Sequence, residues 1–266
     1  VRLPPEWDLL KVCVLATSSA GNCTFVGSDR TRILIDAGLS RKEIIERLAA
    51  IGEQPEQLDA IFVTHEHSDH TCGLPAFARK FKTPIYLTHL TAPTIDWNGK
   101  MPERIEPFQA GIRITVGDLE VQSFTIPHDA IDPVGFTVSC QGMKVGLAMD
   151  LGYLPDSVKW HLRGSHVMVL ESNHDLDMLK VGPYPWSVKQ RVMGRRGHLS
   201  NAIVSDFIAE DLDGEVQTLV LGHLSEQNNH PEIARVVAQQ ALQMRGLGTR
   251  LVVANPKQLT EAFVLA

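Results

Sequence analysis

The chain has 266 residues, of which 44% are hydrophobic, enough for one large α/β domain with a sizeable core. Its 25 Lys and Arg against 31 Asp and Glu give a net charge of −6, which excludes a whole-surface basic field, so any contact with nucleic acid has to be local. No run of about 18 apolar residues offers a membrane span. The stretch VRLPPEWDLLK has no apolar signal core and no linker or repeat divides the chain, so a single domain over 1–266 and a cytoplasmic location are expected.

Apolar periodicity predicts strands at KVCVLAT, TFVGS and RILIDAG. Ser40 and Glu43 then form a capping box for the helix RKEIIERLAAI, stopped at Gly52. A buried strand at 60–64 is followed by the helix GLPAFARKF. Strands are expected near 112–126, 134–149, 166–171, 216–221 and 250–253, with helices near 155–163, 184–194, 200–211 and 231–245. Alternating strands and helices of this kind give an α/β layered fold with helices outside. Cys13, Cys23, Cys72 and Cys140 show no CxxC spacing, which points to reduced thiols rather than a zinc ribbon or a redox pair.

The densest chemistry follows the strand AIFVT. The stretch THEHSDH places His65, His67, Asp69 and His70 within six consecutive positions on a loop leaving a strand. Imidazole mixed with carboxylate suits a borderline first-row divalent ion such as Zn2+ or Mn2+, whereas calcium and magnesium sites are built mainly from oxygens. Three further ligand types appear where an apolar run stops: His128 after DLEVQSFTI, Asp150 at the end of MKVGLAMD, and His223 at the end of VQTLVLGH. Sites in sheet-based proteins gather at such strand ends, so one convergent site and a hydrolase are expected.

The order HxHxDH, His, Asp, His resembles the metallo-β-lactamase superfamily. That resemblance implies a four-layer αβ/βα sandwich and two divalent metal ions per chain. By it, His65, His67 and His128 hold one ion, Asp69, His70 and His223 hold the other, and Asp150 bridges. The segments LATSSAGNCTFV, ILIDAGLS, PHDAIDPVGF, MDLGY, ESNHDLDML, GPYPWSVKQRVMGRRGHLSN and LGHLSEQNN are similar to the bacterial YycJ/WalJ-type exonuclease group, nearly over the whole chain. Ser18 departs from it, since relatives often carry glycine there and glycine permits a turn with positive φ. The resemblance implies a 5′ to 3′ DNA exonuclease, with DNA favoured over RNA as partner. A hydroxide held between two ions forms near neutral pH and attacks a phosphodiester, and Asp69 and Asp150 are the expected catalytic carboxylates.

Substrate contacts are sought beyond the strand HVMVLES. Asn173, His174, His198 and Ser200 are candidate phosphate-binding residues, Ser200 also as N-cap of the helix NAIVSDFIAEDL. Lys189, Arg195 and Arg196 are candidate DNA contacts in the most basic stretch of the chain, where Tyr184 and Trp186 are interleaved. The bland alternative puts Lys189 and Arg191 on a solvated helix face with Trp186 as its core anchor. Two other functions fit the same ligands: a small-molecule, for example cyclic, phosphodiesterase, and a non-catalytic regulatory binding protein.

Overall fold

Alternate residues of the central strands face opposite sides, and in this chain both sides are apolar, so each sheet needs a cover on each face. The computed structural model describes residues 9–99 and 101–266; positions 1–8 of the stretch VRLPPEWDLLK lie outside the described residues. The first half runs β1 (Leu10–Ser18), β2 (Gly21–Gly27), β3 (Arg32–Ile35), α1 (Arg41–Ala50), β4 (Ala60–Phe62), α2 (Ser68–Thr71), α3 (Leu74–Phe81), β5 (Ile85–Thr88) and β6 (Ile105–Phe108). The second runs β7 (Arg113–Val116), β8 (Leu119–Thr125), β9 (Val134–Cys140), β10 (Met143–Ala148), α4 (Asp156–Leu162), β11 (Val167–Glu171), α5 (Leu176–Val181), α6 (Trp186–Val192), α7 (Asn201–Glu210), β12 (Thr218–Gly222), α8 (Pro231–Arg245), β13 (Arg250–Val253) and β14 (Phe263–Leu265).

The strands form two seven-stranded sheets, ordered β14-β1-β2-β3-β4-β5-β6 and β13-β12-β11-β10-β9-β8-β7. In the first, β3 to β6 pair in parallel while β14, β1, β2 and β3 are antiparallel. The second repeats this plan, with β10 to β13 parallel and β7 to β10 antiparallel. Val12 and Val14 of β1, Phe62 of β4, Val167 and Val169 of β11 and Val220 of β12 point into the core between the sheets. Their neighbours Cys13 and Leu15 turn outward against Ile44 and Leu48 of α1 and Phe77 of α3. Met168, Leu170, Leu219 and Leu221 likewise turn outward against Val204 and Phe207 of α7 and Leu242 of α8. This is the expected four-layer αβ/βα sandwich. Phe62 meets Phe136 of the opposite sheet edge-on, with ring centroids 5.6 Å apart, pinning the sheets together two residues before Thr64.

The capping box is present, with Ser40 accepting from the Glu43 amide and Glu43 reaching back to the Ser40 amide. The strands expected at 112–126 and 134–149 are each a hairpin. Val116 and Leu119 are joined by Gly117 and Asp118, and Cys140 and Met143 by Gln141 and Gly142. Gln141 and Gly142 both have positive φ (47° and 86°), as a type I′ turn requires, and Gln is an uncommon residue there. The strands β5, β6 and β14 lie outside the predicted strands: β6 contains Pro107 and lies at a sheet edge, and β14 has three residues. Ser18 is not among the residues with positive φ, so this loop needs no glycine there.

Gly38 is where the fold presses closest on the metal-ligand motif. A Cβ at this position would stand 1.7 Å from the Asp69 carbonyl oxygen and 2.7 Å from the Asn22 amide nitrogen, both backbone atoms. Gly38→Ala is therefore expected to displace α2, lowering both the melting temperature and the metal content found by elemental analysis of the purified protein.

Candidate metal centre

All seven candidate ligands meet at one rim of the sandwich, each just past the end of a strand or on the one-turn helix α2. His65, His67 and His128 form one group, and Asp69, His70 and His223 another; Asp150 groups with His65 and His70 and so lies between them. His67 Nδ1 stands 3.1 Å from His65 Nε2 and 3.3 Å from His128 Nε2. Two nitrogens bound to one tetrahedral ion at about 2.0–2.1 Å lie about 3.3 Å apart, so this spacing fits a shared cation. Asp150 Oδ2 and His223 Nε2 are buried without a hydrogen bond among the described residues. Asp150 Oδ2 nevertheless lies 2.8 Å from His70 Nε2. Asp150 and His223 each fall in groups of imidazole and carboxylate side chains whose ligand atoms lie close enough to share one ion. The donor set and geometry fit a divalent metal ion.

The rings are held from behind. His70 Nδ1 is 2.8 Å from Asp36 Oδ2, and Asp36 also accepts from the Thr64 amide and hydroxyl. Thr64 Oγ1 lies 3.0 Å from His65 Nδ1. His223 Nδ1 is 3.0 Å from Glu171 Oε1, and the His223 amide donates to Thr17 Oγ1. With Nδ1 engaged, each of these three rings presents Nε2 to the centre. Burial, then the neighbouring His70, holds His65 well below the ordinary imidazole pKa; burial also lowers His128, leaving both as neutral lone-pair donors. Although burial opposes it, the Asp150 carboxylate, helped by Asp69 and Glu171, raises His223 to about 9.

Backbone strain marks the same residues. Asp36, Asp150 and His223 have φ of 63°, 57° and 55°, in the left-handed region that non-glycine residues avoid. Each such residue costs on the order of 1–3 kcal/mol, which the surrounding hydrogen bonds must offset.

Asp36 and Glu171 are functional residues that sequence reasoning missed. Glu171 is fully buried; Oε2 accepts from the Leu151 and Leu199 amides at 3.1 Å, and Oε1 lies 2.6 Å from His198 Nδ1. Both oxygens are engaged by donors, which suits an orienting carboxylate, and Glu171 also groups with Asp150, His198 and His223 closely enough to share an ion. Burial would lower His198, but Glu171 and then Asp150 raise it to about 11. Each of these carboxylates ends a strand, and that position was the available signal.

A cavity of about 330 Å³ opens over the centre, lined by His67, Asp69, His128, Asp150, His198 and His223 among others. Of the candidate substrate contacts, His198 and Asn173 line it. His174 and Ser200 do not: both are 1% exposed, they pair as a β-bridge, and the Ser200 hydroxyl accepts from the Ile203 amide as N-cap of α7. Lys189 is buried, with Nζ on the Lys180 carbonyl oxygen, because its position on α6 faces away from the cavity. Arg195 stacks over the Tyr153 ring at 4.7 Å. Arg196 donates from Nε to the His128 carbonyl oxygen at 3.0 Å, bracing the loop that carries this ligand. Trp186 is 63% exposed and does not anchor α6 in the core. Cys13, Cys23 and Cys140 are buried, and the exposed Cys72 joins no ligand group among the described residues. No helix among the described residues is long and apolar enough to cross a membrane.

The family profile described as Metallo-beta-lactamase superfamily matches residues 16–223. The exodeoxyribonuclease YycJ of Bacillus anthracis is 37% identical over 90% of this chain and 91% of its own. The exodeoxyribonuclease WalJ of Streptococcus pneumoniae is 34% identical over 90% of each chain. Among solved structures, the metallo-beta-lactamase fold protein YhfI of Bacillus subtilis superposes with a TM-score of 0.76 at 17% identity, covering 97% of this chain and 99% of that one, a likeness of fold. The chain belongs to the metallo-β-lactamase superfamily of metal-dependent hydrolases and, within it, to the group of YycJ and WalJ.

Proposed function

We propose that this enzyme is an exodeoxyribonuclease that binds two divalent ions, Zn2+ or Mn2+, and removes nucleotides from the 5′ end of DNA. The observation that carries the reading is the pair of ligand groups joined through Asp150, in a chain whose full-length relatives bear the name exodeoxyribonuclease. His65, His67 and His128 would hold one ion, Asp69, His70 and His223 the other, with Asp150 shared. When bound, such ions lower the pKa of water and neutralise charge growing on phosphoryl oxygens.

The chain's own residues supply the rest. Asp69 and Asp150 line the cavity, where their carboxylates can accept a hydrogen bond from the attacking water. Although burial opposes it, the His223 and His70 contacts keep Asp69 well below the usual carboxylate range, so it orients that water rather than storing its proton. His198 lines the same cavity with Nδ1 tied to Glu171, which leaves Nε2 as the edge that can protonate the departing 3′ oxygen. Asn173 holds the His223 backbone, its Nδ2 donating to the His223 carbonyl oxygen at 2.9 Å.

The first test is a time course on linear DNA labelled at either end, with Mn2+ or Zn2+. Mononucleotides are expected from the 5′ end, and Asp150→Ala should slow their release more than about 100-fold. A wild-type enzyme that cuts no DNA yet hydrolyses a cyclic phosphodiester would replace the reading. Chelation should abolish activity and lower the melting temperature, since ions that bind only the folded state stabilise it; re-addition of either metal should reverse both. His198→Gln separates proton donation from metal binding. Its kcat on DNA should fall about 10²–10⁴-fold with metal content unchanged, whereas a nitrophenyl diester, whose leaving group needs no proton, should lose far less.

A further inference from the structure

The basic stretch before His198 is sorted by α6. Tyr184 just ahead of the helix, then Val188, Arg191 and Val192 within it, recur at helical spacing and all line the cavity over the metal centre. Lys189, two positions from Arg191, is turned to the opposite side and buried. Arg195 lies over Tyr153 and Arg196 against the His128 loop. Arg191 is therefore the one arginine among the described residues that lines this cavity.

Its guanidinium is held at a single corner. Nε donates to Asp129 Oδ2 at 2.5 Å, while Nη1 and Nη2 make no hydrogen bond to the described residues. Asp129 directly follows the ligand His128, and its other carboxylate oxygen is 3.4 Å from His128 Nε2. Asp129 thus stands between the arginine and the ligand cluster, setting the guanidinium one step out along the cavity rim. The arginine side chain is 69% exposed, and an ion pair that open holds only weakly, so it orients the side chain without consuming it. The unengaged Nη1 and Nη2 edge matches two oxygens of a phosphate. The apolar and aromatic strip of Tyr184, Val188 and Val192 beside it suits a base rather than a second anion.

We propose that Arg191 is a phosphate clamp, gripping through Nη1 and Nη2 the backbone phosphate next to the one held at the metal centre, with Asp129 as its positioning residue. The proposal rests on the nuclease reading, and it makes the enzyme selective for an oligonucleotide over a diester with a single phosphate. A substrate of three or more nucleotides, with at least two backbone phosphates, spans both points; a simple diester reaches only the metals.

The test is kcat and KM on a single-stranded oligonucleotide across a salt series, beside a nitrophenyl diester, for the metal-loaded wild type and for Arg191→Ala, Arg191→Lys, Asp129→Asn and Arg195→Ala. Arg191→Ala should lower kcat/KM on the oligonucleotide by about tenfold or more, mainly through KM, and flatten the dependence of log(kcat/KM) on log[salt] by about 0.7, the contribution of one phosphate contact on a single strand. Its loss on the diester should be several times smaller. Arg191→Lys should restore the salt slope but not the full affinity, since the charge returns without the fork. Asp129→Asn should raise KM in the same direction with the charge at Arg191 intact, and Arg195→Ala should keep the wild-type slope. An Arg191→Ala enzyme with wild-type KM and slope, or an equal drop in slope for Arg195→Ala, overturns the clamp. A wild type active on the diester but on no oligonucleotide fails at the nuclease reading instead, and the clamp falls with it. Melting temperatures of all variants separate either result from misfolding.

Discussion

The rest of the structure depends on one electrostatic constraint: carboxylates and imidazoles crowd a single water-poor rim and must all be compensated. Asp36, Asp150 and Glu171 are nearly or wholly buried, and so are His65, His70, His128 and His223. An ionised carboxylate taken out of water is tolerated only with close donors or an opposite charge. Asp36 and Glu171 meet that demand within the chain, through amides, a hydroxyl and imidazole rings. Asp150 has the His70, His198 and His223 rings within 3.3 Å, yet its Oδ2 is left without a hydrogen bond among the described residues, and His223 Nε2 shares that state. The division separates two kinds of carboxylate. Those satisfied by the protein orient rings, and the one with an unsatisfied oxygen faces the point where, on the proposed reading, a cation would complete the balance.

The sandwich delivers these groups because of how its strands end. In both sheets the antiparallel half leads into a parallel half, and the parallel strands finish at one rim. Asp36 follows β3, the motif of His65 to His70 follows β4, Glu171 closes β11 and His223 follows β12. The sheets are held in register beneath this rim by contacts such as Phe62 against Phe136, so a ligand on one sheet meets a ligand on the other without a long flexible connection. The left-handed backbone at Asp36, Asp150 and His223 turns the chain sharply enough for the side chain to face the rim. Strain concentrates where a straight strand exit would aim the group elsewhere.

How much of this was legible follows from sequence distance. The cluster from His65 to His70 is local, so spacing alone exposed it, and the strands before His128, Asp150 and His223 showed as apolar runs that stop at a ligand type. Asp36 and Glu171 sit at equally typical strand ends, yet their roles lie in partners 34 residues away at His70, and 27 and 52 residues away at His198 and His223. No linear pattern encodes such a pair. The hairpins at Gly117 and Gln141 were hidden because each turn has only two residues and leaves little break between the strand residues on either side. The basic stretch misled for a third reason: charge density was visible, but which charges face the cavity depends on the rotation of α6. Lys189 and Arg191 are two positions apart and so point to different sides.

That rotation also reconciles an acidic chain with a polyanionic substrate on the proposed reading. A net charge of −6 gives no long-range attraction, and the cavity itself adds Asp69, Asp129 and Asp150. Bound divalent ions would reverse the sign at the centre only, over a distance that salt screens to about 8–10 Å. A phosphate one nucleotide away would still face an acidic wall unless a cation stood there. Arg191 occupies that place, with Asp129 tempering its charge and fixing its direction. An arrangement of this kind favours substrates whose phosphates match the spacing of the two positive points, and it leaves the remaining surface repulsive enough that a released mononucleotide has little to hold it.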